Sequence, residues 1–319
     1  MSAASSVLSG LAGSFVFWAA WIVIPLIMEI VPALGSVILL VKRRVEKCKT
    51  PADPIIFPDI TLIVPVYNSA ETLEACVASI AGGTYPTDKI NVYLVNNAST
   101  DDSFAAFTRA QAAHPDLPMQ WLDAAQGKSN ALNLALYNSQ GKYIVHVDSD
   151  GVLEPHALVN LVRRFEADPS VNVATGAIMV EPKLVEAYRP GPSRLLRRLE
   201  FMEYAQAFLA GRNYASEVDR VYTLSGAFTA FRSNAILTSW LYNADTICED
   251  TQITFQMRYL QGERIYMSEK SIFFVDPIEN ADKLYTQRQR WQRGSLEVAK
   301  MFGGKKMRSY QMFTDVSVK

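Results

Sequence analysis

With 319 residues the chain can bury a full core, as one large domain or two small ones. Its 31 basic and 32 acidic residues nearly cancel, so no global field directs it to nucleic acid. Three widely spaced cysteines (Cys48, Cys76, Cys248) and three histidines (His114, His146, His156) form neither a disulfide frame nor a zinc-ligand spacing, and point to reduced thiols in a cytosolic compartment.

From Val7 to Val41 one ionisable residue, Glu29, interrupts an otherwise uncharged and largely apolar segment, longer than the about 20 residues a spanning helix needs. Lys42-Arg43-Arg44 and Lys47 follow this segment, the reverse of a signal peptide. The positive-inside rule then puts the N-terminus outside and everything after Lys42 in the cytoplasm. Residues 1–45 are therefore expected to anchor the chain in the cell membrane. Pro25 and Pro32 mark kinks, an irregular lead-in to one span, or a re-entrant arrangement. Glu29 suits either a functional group within the membrane or a residue at its interface. Residues 46–58, with three prolines between Thr50 and Pro58, read as a linker.

From 59 to 300 strands alternate with helices, which predicts a βαβ-type layered domain. Ile60 to Val64 is the first strand and ends at Pro65-Val66-Tyr67-Asn68. Asn68 with Glu71 three residues on predicts a helix start, and Leu73, Cys76, Val77 and Ile80 give the apolar stripe of the helix. A second strand, Ile90 to Val95, runs into Asn96-Asn97-Ala98-Ser99-Thr100-Asp101, and Phe104 and Phe107 mark the next helix. A short third strand is expected over Met119 to Leu122, and Gly127-Lys128-Ser129-Asn130 opens a helix carrying Leu132, Leu134 and Leu136.

Tyr143-Ile144-Val145-His146-Val147 is an apolar run that ends abruptly in Asp148-Ser149-Asp150. It reads as a buried strand delivering two carboxylates to the edge of a sheet, where open α/β sheets hold ligands. Two like charges so close need a compensating partner. A hard divalent cation carried by a phosphorylated ligand would supply it. A solvated turn after a strand is the competing reading of the same triplet.

Pro155 starts a helix with Leu158, Leu161, Val162 and Phe165 on one face. Asn172 to Val180 is a further strand, Ser193 to Phe208 an arginine-rich amphipathic helix, and Tyr222 to Phe231 a small-residue turn between apolar flanks. Cys248-Glu249-Asp250 precedes a helix with Ile253, Met257 and Leu260 inward, and Gln287-Arg288-Gln289-Arg290-Trp291 lies in a cationic stretch. Residues 301–319 are expected to be a basic tail, read as a truncated end or as the end of a chain that does not translocate its product.

Pro65-Val66-Tyr67-Asn68, Gly127-Lys128-Ser129-Asn130-Ala131-Leu132-Asn133, Asp148-Ser149-Asp150, Glu249-Asp250 and Gln287-Arg288-Gln289-Arg290-Trp291 together resemble, in content and in order, the membrane-bound family-2 glycosyltransferases. That group includes cellulose, hyaluronan and poly-N-acetylglucosamine synthases. The resemblance implies an α/β, Rossmann-like GT-A fold for nucleotide-diphospho-sugar transfer, with an N-terminal transmembrane segment. It implies an inverting, metal-dependent transfer from a UDP-sugar to a growing glycan, for extracellular polysaccharide or cell-surface glycan synthesis.

In that scheme Asp148 and Asp150 hold Mg²⁺ or Mn²⁺ against the diphosphate. Pro65, Tyr67, Asn96, Asn97, Lys128, Asp148 and Arg290 form the donor site, Arg290 as a permanently charged fork for the diphosphate. Asp250 is the general base for the acceptor hydroxyl, while Gly226, Gln287 and Trp291 line the acceptor site. Many relatives carry an aspartate where this chain has Asn96 and Asn97, which predicts altered base contacts, since an amide both donates and accepts. The implied partners are a UDP-sugar, a glycan or lipid-linked acceptor, the membrane, and membrane subunits for export. Transfer of one sugar to a lipid-linked acceptor, a non-catalytic sugar-nucleotide-binding subunit and nucleotidyl transfer are the competing expectations.

Overall fold

The computed structural model describes residues 56–303, apart from 188 and 190, and short helical stretches between 17 and 42. The chain divides into two units, the first ending at Lys49 and the second beginning at Thr50. In the first unit the expected anchor lies mostly outside the described residues, and no described helix is long and apolar enough to cross a membrane.

The second unit is built on one eight-stranded sheet. Its strands are β1 (Ile60–Val66), β2 (Ile90–Asn96), β3 (Met119–Asp123), β4 (Tyr143–Val147), β5 (Gly151–Leu153), β6 (Val173–Val180), β7 (Phe228–Arg232) and β8 (Ile265–Val275), in the order β3-β2-β1-β4-β7-β6-β8-β5. β1 pairs in parallel with β2 and β4, and β2 with β3. Helices cover both faces of this half, so β1 and β4 read as continuous apolar runs buried on both sides. Helices α1 (Leu73–Ala81), α2 (Ser103–Ala113) and α4 (Ala157–Ala167) bury Leu73, Ile80, Phe107, Leu161 and Phe165 against one face. Helix α3 (Lys128–Asn138) buries Leu132 and Leu136 against the other.

The chain winds outward from β1 through β2 to β3 and then returns to place β4 on the other side of β1. This reversal leaves a crevice at the carboxyl ends of β1 and β4, the place where open α/β sheets bind ligands. Ser69 Oγ and Ser149 Oγ bridge it at 2.7 Å.

The second half departs from the alternating pattern. β7 inserts antiparallel between β4 and β6, and β8 pairs with both β6 and β5. β6 carries a bulge at Gly176, where a Cβ would stand 2.1 Å from Phe228 Cδ1, so the residue there must be glycine. Helix α5 (Pro192–Tyr204) continues into a π-helical segment, Ala205–Gly211, and α6 (Glu249–Phe255) into another, Gln256–Leu260. The cationic stretch lies on a 22-residue helix, α7 (Ala281–Phe302).

One local expectation is corrected. Asn68 does not cap α1, which starts at Leu73 without a side-chain cap. Asn68 adopts φ 49° and its Oδ1 accepts from Thr100 N at 2.8 Å, joining the β1 and β2 loops. Asn tolerates this left-handed backbone because its short amide bonds locally.

Candidate active site

Four of the expected site residues, Lys128, Asp148, Gly226 and Asp250, converge at the crevice with Glu249 as a fifth. Lys128, at the start of α3, extends its ammonium to Asp148 Oδ1 at 2.6 Å and Glu249 Oε1 at 3.1 Å, and donates to Gly226 O at 3.4 Å. Glu249 and Asp250 are the first two residues of α6, where the helix dipole favours carboxylates. A Cβ on Gly226 would contact Asp250 Cβ, Glu249 Oε1 and Lys128 Nζ, each at 3.5 Å. Gly226 is thus the floor on which the β4 end, α3 and α6 meet.

Charge at this junction is tightly coupled. Burial pushes Asp148 up to about 6, with Lys128 opposing the rise and Asp150 reinforcing it. Burial works against the Lys128 charge too, but Asp148 and Glu249 outweigh it and the ammonium is held above its ordinary range. Beneath them burial pushes the Cys76 thiol to about 12, with Asp150 and Asp148 adding to the shift. Both Asp148 and Asp150 therefore project negative potential onto one point of the sheet edge, although Asp150 itself is exposed.

Asp250 accepts from Thr251 N at 2.6 Å and Thr251 Oγ1 at 3.2 Å. Thr254 ties the same turn to the preceding loop, donating to Asp250 O at 2.5 Å and accepting from Leu224 N at 2.8 Å. Arg212, not singled out by the sequence, faces this carboxylate. Burial lowers its guanidinium, opposed by Tyr222 and Asp250, and it stacks 4.2 Å over the Phe208 ring.

The other side of the crevice is laid out by the β1, β2 and β3 ends. Pro65 is buried within β1 and Tyr67 is exposed at its end. A cleft of about 490 Å³ opens between the loops after β1 and β2, lined by Asn68, Ser69, Glu71, Thr100 and Asp101 among others. Asn96 Oδ1 accepts from Ser99 N at 2.9 Å and its amide donates to Asp123 Oδ1 at 2.8 Å. Asn97 Oδ1 accepts from Gly127 N at 2.5 Å. The two asparagines thus use their carbonyls to shape the loops, and Asp123 brings a carboxylate to the same edge.

Arg290 and Trp291 stand apart from the five. Arg290 is exposed, and its backbone carbonyl faces Cys248 Sγ at 3.9 Å. One face of Trp291 is covered by Arg288, whose guanidinium lies 4.4 Å from the ring centroid and pairs with Glu203 at 2.7 Å. Gln287 keeps its side-chain Oε1 buried. What locks α7 to the start of α6 is Gly294, where a Cβ would meet Cys248 Sγ at 2.1 Å. Glycine inside a helix costs about 1 kcal/mol, so its presence there marks a close approach.

Residues 58–294 match the family described as Glycosyltransferase like family 2. The chain belongs to that family. Among curated proteins it is similar to poly-beta-1,6-N-acetyl-D-glucosamine synthase of Staphylococcus aureus (strain COL), 24% identical over 277 residues, covering 86% of this chain and 64% of that protein. The Staphylococcus epidermidis enzyme of the same name is 25% identical, covering 75% of this chain and 55% of its own length. The chain thus spans somewhat less than two thirds of these relatives. Among solved structures, the fold is shared with the mannosyltransferase PcManGT from Pyrobaculum calidifontis in complex with GDP-Man and Mn²⁺ (TM-score 0.65, 22% identity, 91% of this chain and 79% of that one). It is shared also with S. aureus TarS in complex with UDP-GlcNAc (TM-score 0.56, 16% identity, 82% and 71%).

Among the described residues no cluster of three or more acidic, histidine or cysteine side chains forms a cage for a metal. The donor set fits a shared ion instead. Asp148 and Asp150 offer hard oxygens at the crevice mouth, and Mg²⁺ or Mn²⁺ is commonly bound by one or two carboxylates plus substrate phosphates.

Proposed function

We propose that the domain transfers a sugar from a UDP-sugar to a glycan acceptor, with inversion, at the cytoplasmic face of the cell membrane, in the synthesis of an exported or cell-surface polysaccharide. The observation that carries this reading is the meeting of Lys128, Asp148, Gly226, Glu249 and Asp250 at the switch point of a family-2 sheet. The similarity to poly-N-acetylglucosamine synthases supports a polymeric product, and the fold shared with TarS, solved with UDP-GlcNAc, supports a UDP-linked donor.

Asp148 and Asp150 would hold Mg²⁺ or Mn²⁺, which when bound supplies Lewis-acid stabilisation to the departing diphosphate. Lys128 adds a fixed cation beside it, and the resemblance would bring Arg290, which stands apart on α7, to the same diphosphate. Asp250 accepts the proton of the attacking hydroxyl at its carboxylate. Its Thr251 hydrogen bonds fix its orientation, and Arg212 balances its charge. Tyr67, Asn96 and Asn97 shape the loops around the nucleotide base, Gly226 borders the acceptor, and the resemblance would add Gln287 and Trp291 of α7. With the donor's phosphates neutralised, one displacement suffices and no covalent sugar–enzyme intermediate is needed.

The test is release of nucleotide diphosphate from a donor panel that includes UDP-GlcNAc, UDP-glucose and GDP-mannose. UDP should be released, and only with divalent metal. Asp250→Asn should lower turnover by about 10²–10⁴-fold while UDP still binds. Turnover retained in that variant would remove Asp250 as the base, and UDP binding unchanged in EDTA would remove the metal from Asp148 and Asp150.

A further inference from the structure

His146 has no part in the roles proposed above, yet it lies directly behind them. It is 3% exposed on β4, and its ring packs against Phe231 and Tyr242 with centroids 5.5 and 5.4 Å away. Nδ1 is 2.7 Å from Tyr242 Oη, while the buried Nε2 has no hydrogen-bond partner. An unsatisfied buried polar group costs about 1–3 kcal/mol, so a partner at Nε2 is to be expected.

Beside the ring is a cavity of about 10 Å³, lined by His146, Gly226, Thr229, Tyr242, Glu249 and Asp250 with three apolar side chains. That is the size of a single water molecule, and the lining offers the several polar partners a buried water requires. Thr229 is the cross-strand neighbour of His146; its hydroxyl donates to Ser225 O at 2.5 Å and keeps its lone pairs to accept.

The protons follow from the surroundings. The charged groups that act on the His146–Tyr242 pair are Lys128 on α3, Asp148 at the strand end, and Glu249 and Asp250 on α6. A neutral imidazole carries one proton, so one ring nitrogen donates and the other accepts. Burial and the three carboxylates hold the Tyr242 phenol well above its ordinary value, so it keeps its O–H. If that O–H donates to Nδ1, the imidazole proton sits on Nε2, on the ring that lines the cavity with Glu249 and Asp250. The opposite tautomer aims a lone pair at them and leaves the phenol proton in need of another acceptor.

We infer that one water molecule bound in this cavity links His146 Nε2–H to the Glu249 and Asp250 carboxylates, making His146 and Tyr242 positioning residues for the general base. The inference rests on the transferase reading in taking Asp250 as that base, and its test separates the two. In the full chain labelled with ¹⁵N-histidine, only three histidines give signals, and His146→Gln identifies the one of interest. The expected spectrum shows His146 as the neutral Nε2–H tautomer; an Nδ1–H tautomer overturns the inference whatever the activity.

Kinetically, His146→Phe should lose about 10- to 100-fold in kcat with little change in KM for the donor, the mark of a misplaced group and not of lost binding. His146→Gln, whose amide can present N–H at the position of Nε2, should restore most of that loss. A phenylalanine variant with unaltered kcat overturns the positioning role. So does one that loses UDP binding and thermal stability together with kcat, since that is a structural effect. A wild-type chain that turns over no donor overturns the transferase reading, and the tautomer still decides the hydrogen-bond arrangement.

Discussion

Lys128 is a cation shared by the strand-end aspartate and the first residue of α6. It and Asp148 are 29% and 26% exposed, and Glu249 16%, so solvent screens the cluster only in part. Removing one member of a partly buried cluster leaves like charges facing each other, which costs more than the cluster itself contributes. Lys128→Met, of similar length, should lower unfolding free energy by about 1–3 kcal/mol, and the deficit should shrink when Mn²⁺ and UDP are supplied together. Chemical denaturation with and without the ligand measures both, and an unchanged midpoint in the free protein would contradict the role given to the ammonium. This cluster was legible in the sequence because each member sits in a short ordered motif. Its internal wiring was not: the spacing of Gly127-Lys128 from Asp148 says nothing about which carboxylate the lysine meets. His146 was visible as a polar residue in an apolar strand, but only the antiparallel approach of β7 and the loop holding Tyr242 shows what surrounds it. The two asparagines illustrate the same limit, since their carbonyls turn inward to backbone N–H groups that lie 30 residues away or just three.

Two inter-element contacts carry the geometry of the crevice. Helix α7 reaches α6 only because Gly294 has no side chain against Cys248. Gly294→Val should clash there, cost about 1–3 kcal/mol and lower turnover by tilting the start of α6; Cys248→Ala in the same chain should recover part of both. Thermal melts and UDP release read the two effects, and additivity of the pair would deny the contact. At the opposite end of β4, Glu166 on α4 accepts from Lys142 Nζ at 2.6 Å and Tyr143 Oη at 2.7 Å. Burial alone would raise its carboxyl, but these hydrogen bonds bring it below the ordinary glutamate value. A group whose native pKa is depressed contributes stability above its unfolded pKa and loses it as pH falls through the native value. Glu166→Gln should therefore destabilise the protein at neutral pH and flatten the acid limb of its stability profile, as followed by denaturation at successive pH values. The first four strands and their helices were readable because period and burial agree there. β7, β8 and both π-helical segments were not, because long-range antiparallel pairing and local helix widening leave no periodic trace.

At the scale of the whole chain, the apolar stretch from Val7 to Val41, followed by basic residues, underlies the proposed membrane attachment. It predicts that the full chain stays with the membrane fraction through high-salt or alkaline washing and is released by detergent; release by salt alone would remove the spanning assignment. The sheet itself imposes a constraint of another kind. β4 and β5 are joined by Asp148, Ser149 and Asp150 alone, yet three other strands lie between them in the sheet. In a flat sheet the four intervals would separate them by about 19 Å, whereas the four peptide steps from Val147 to Gly151 reach at most about 14 Å. The sheet must therefore roll until its far edge comes back beside its centre, and the acidic tripeptide is the clasp that closes the hoop. Lengthening that clasp by even one or two residues would relax the curvature as well as separate the carboxylates, so the shape of the barrel-like half and the spacing of its acidic pair cannot vary independently.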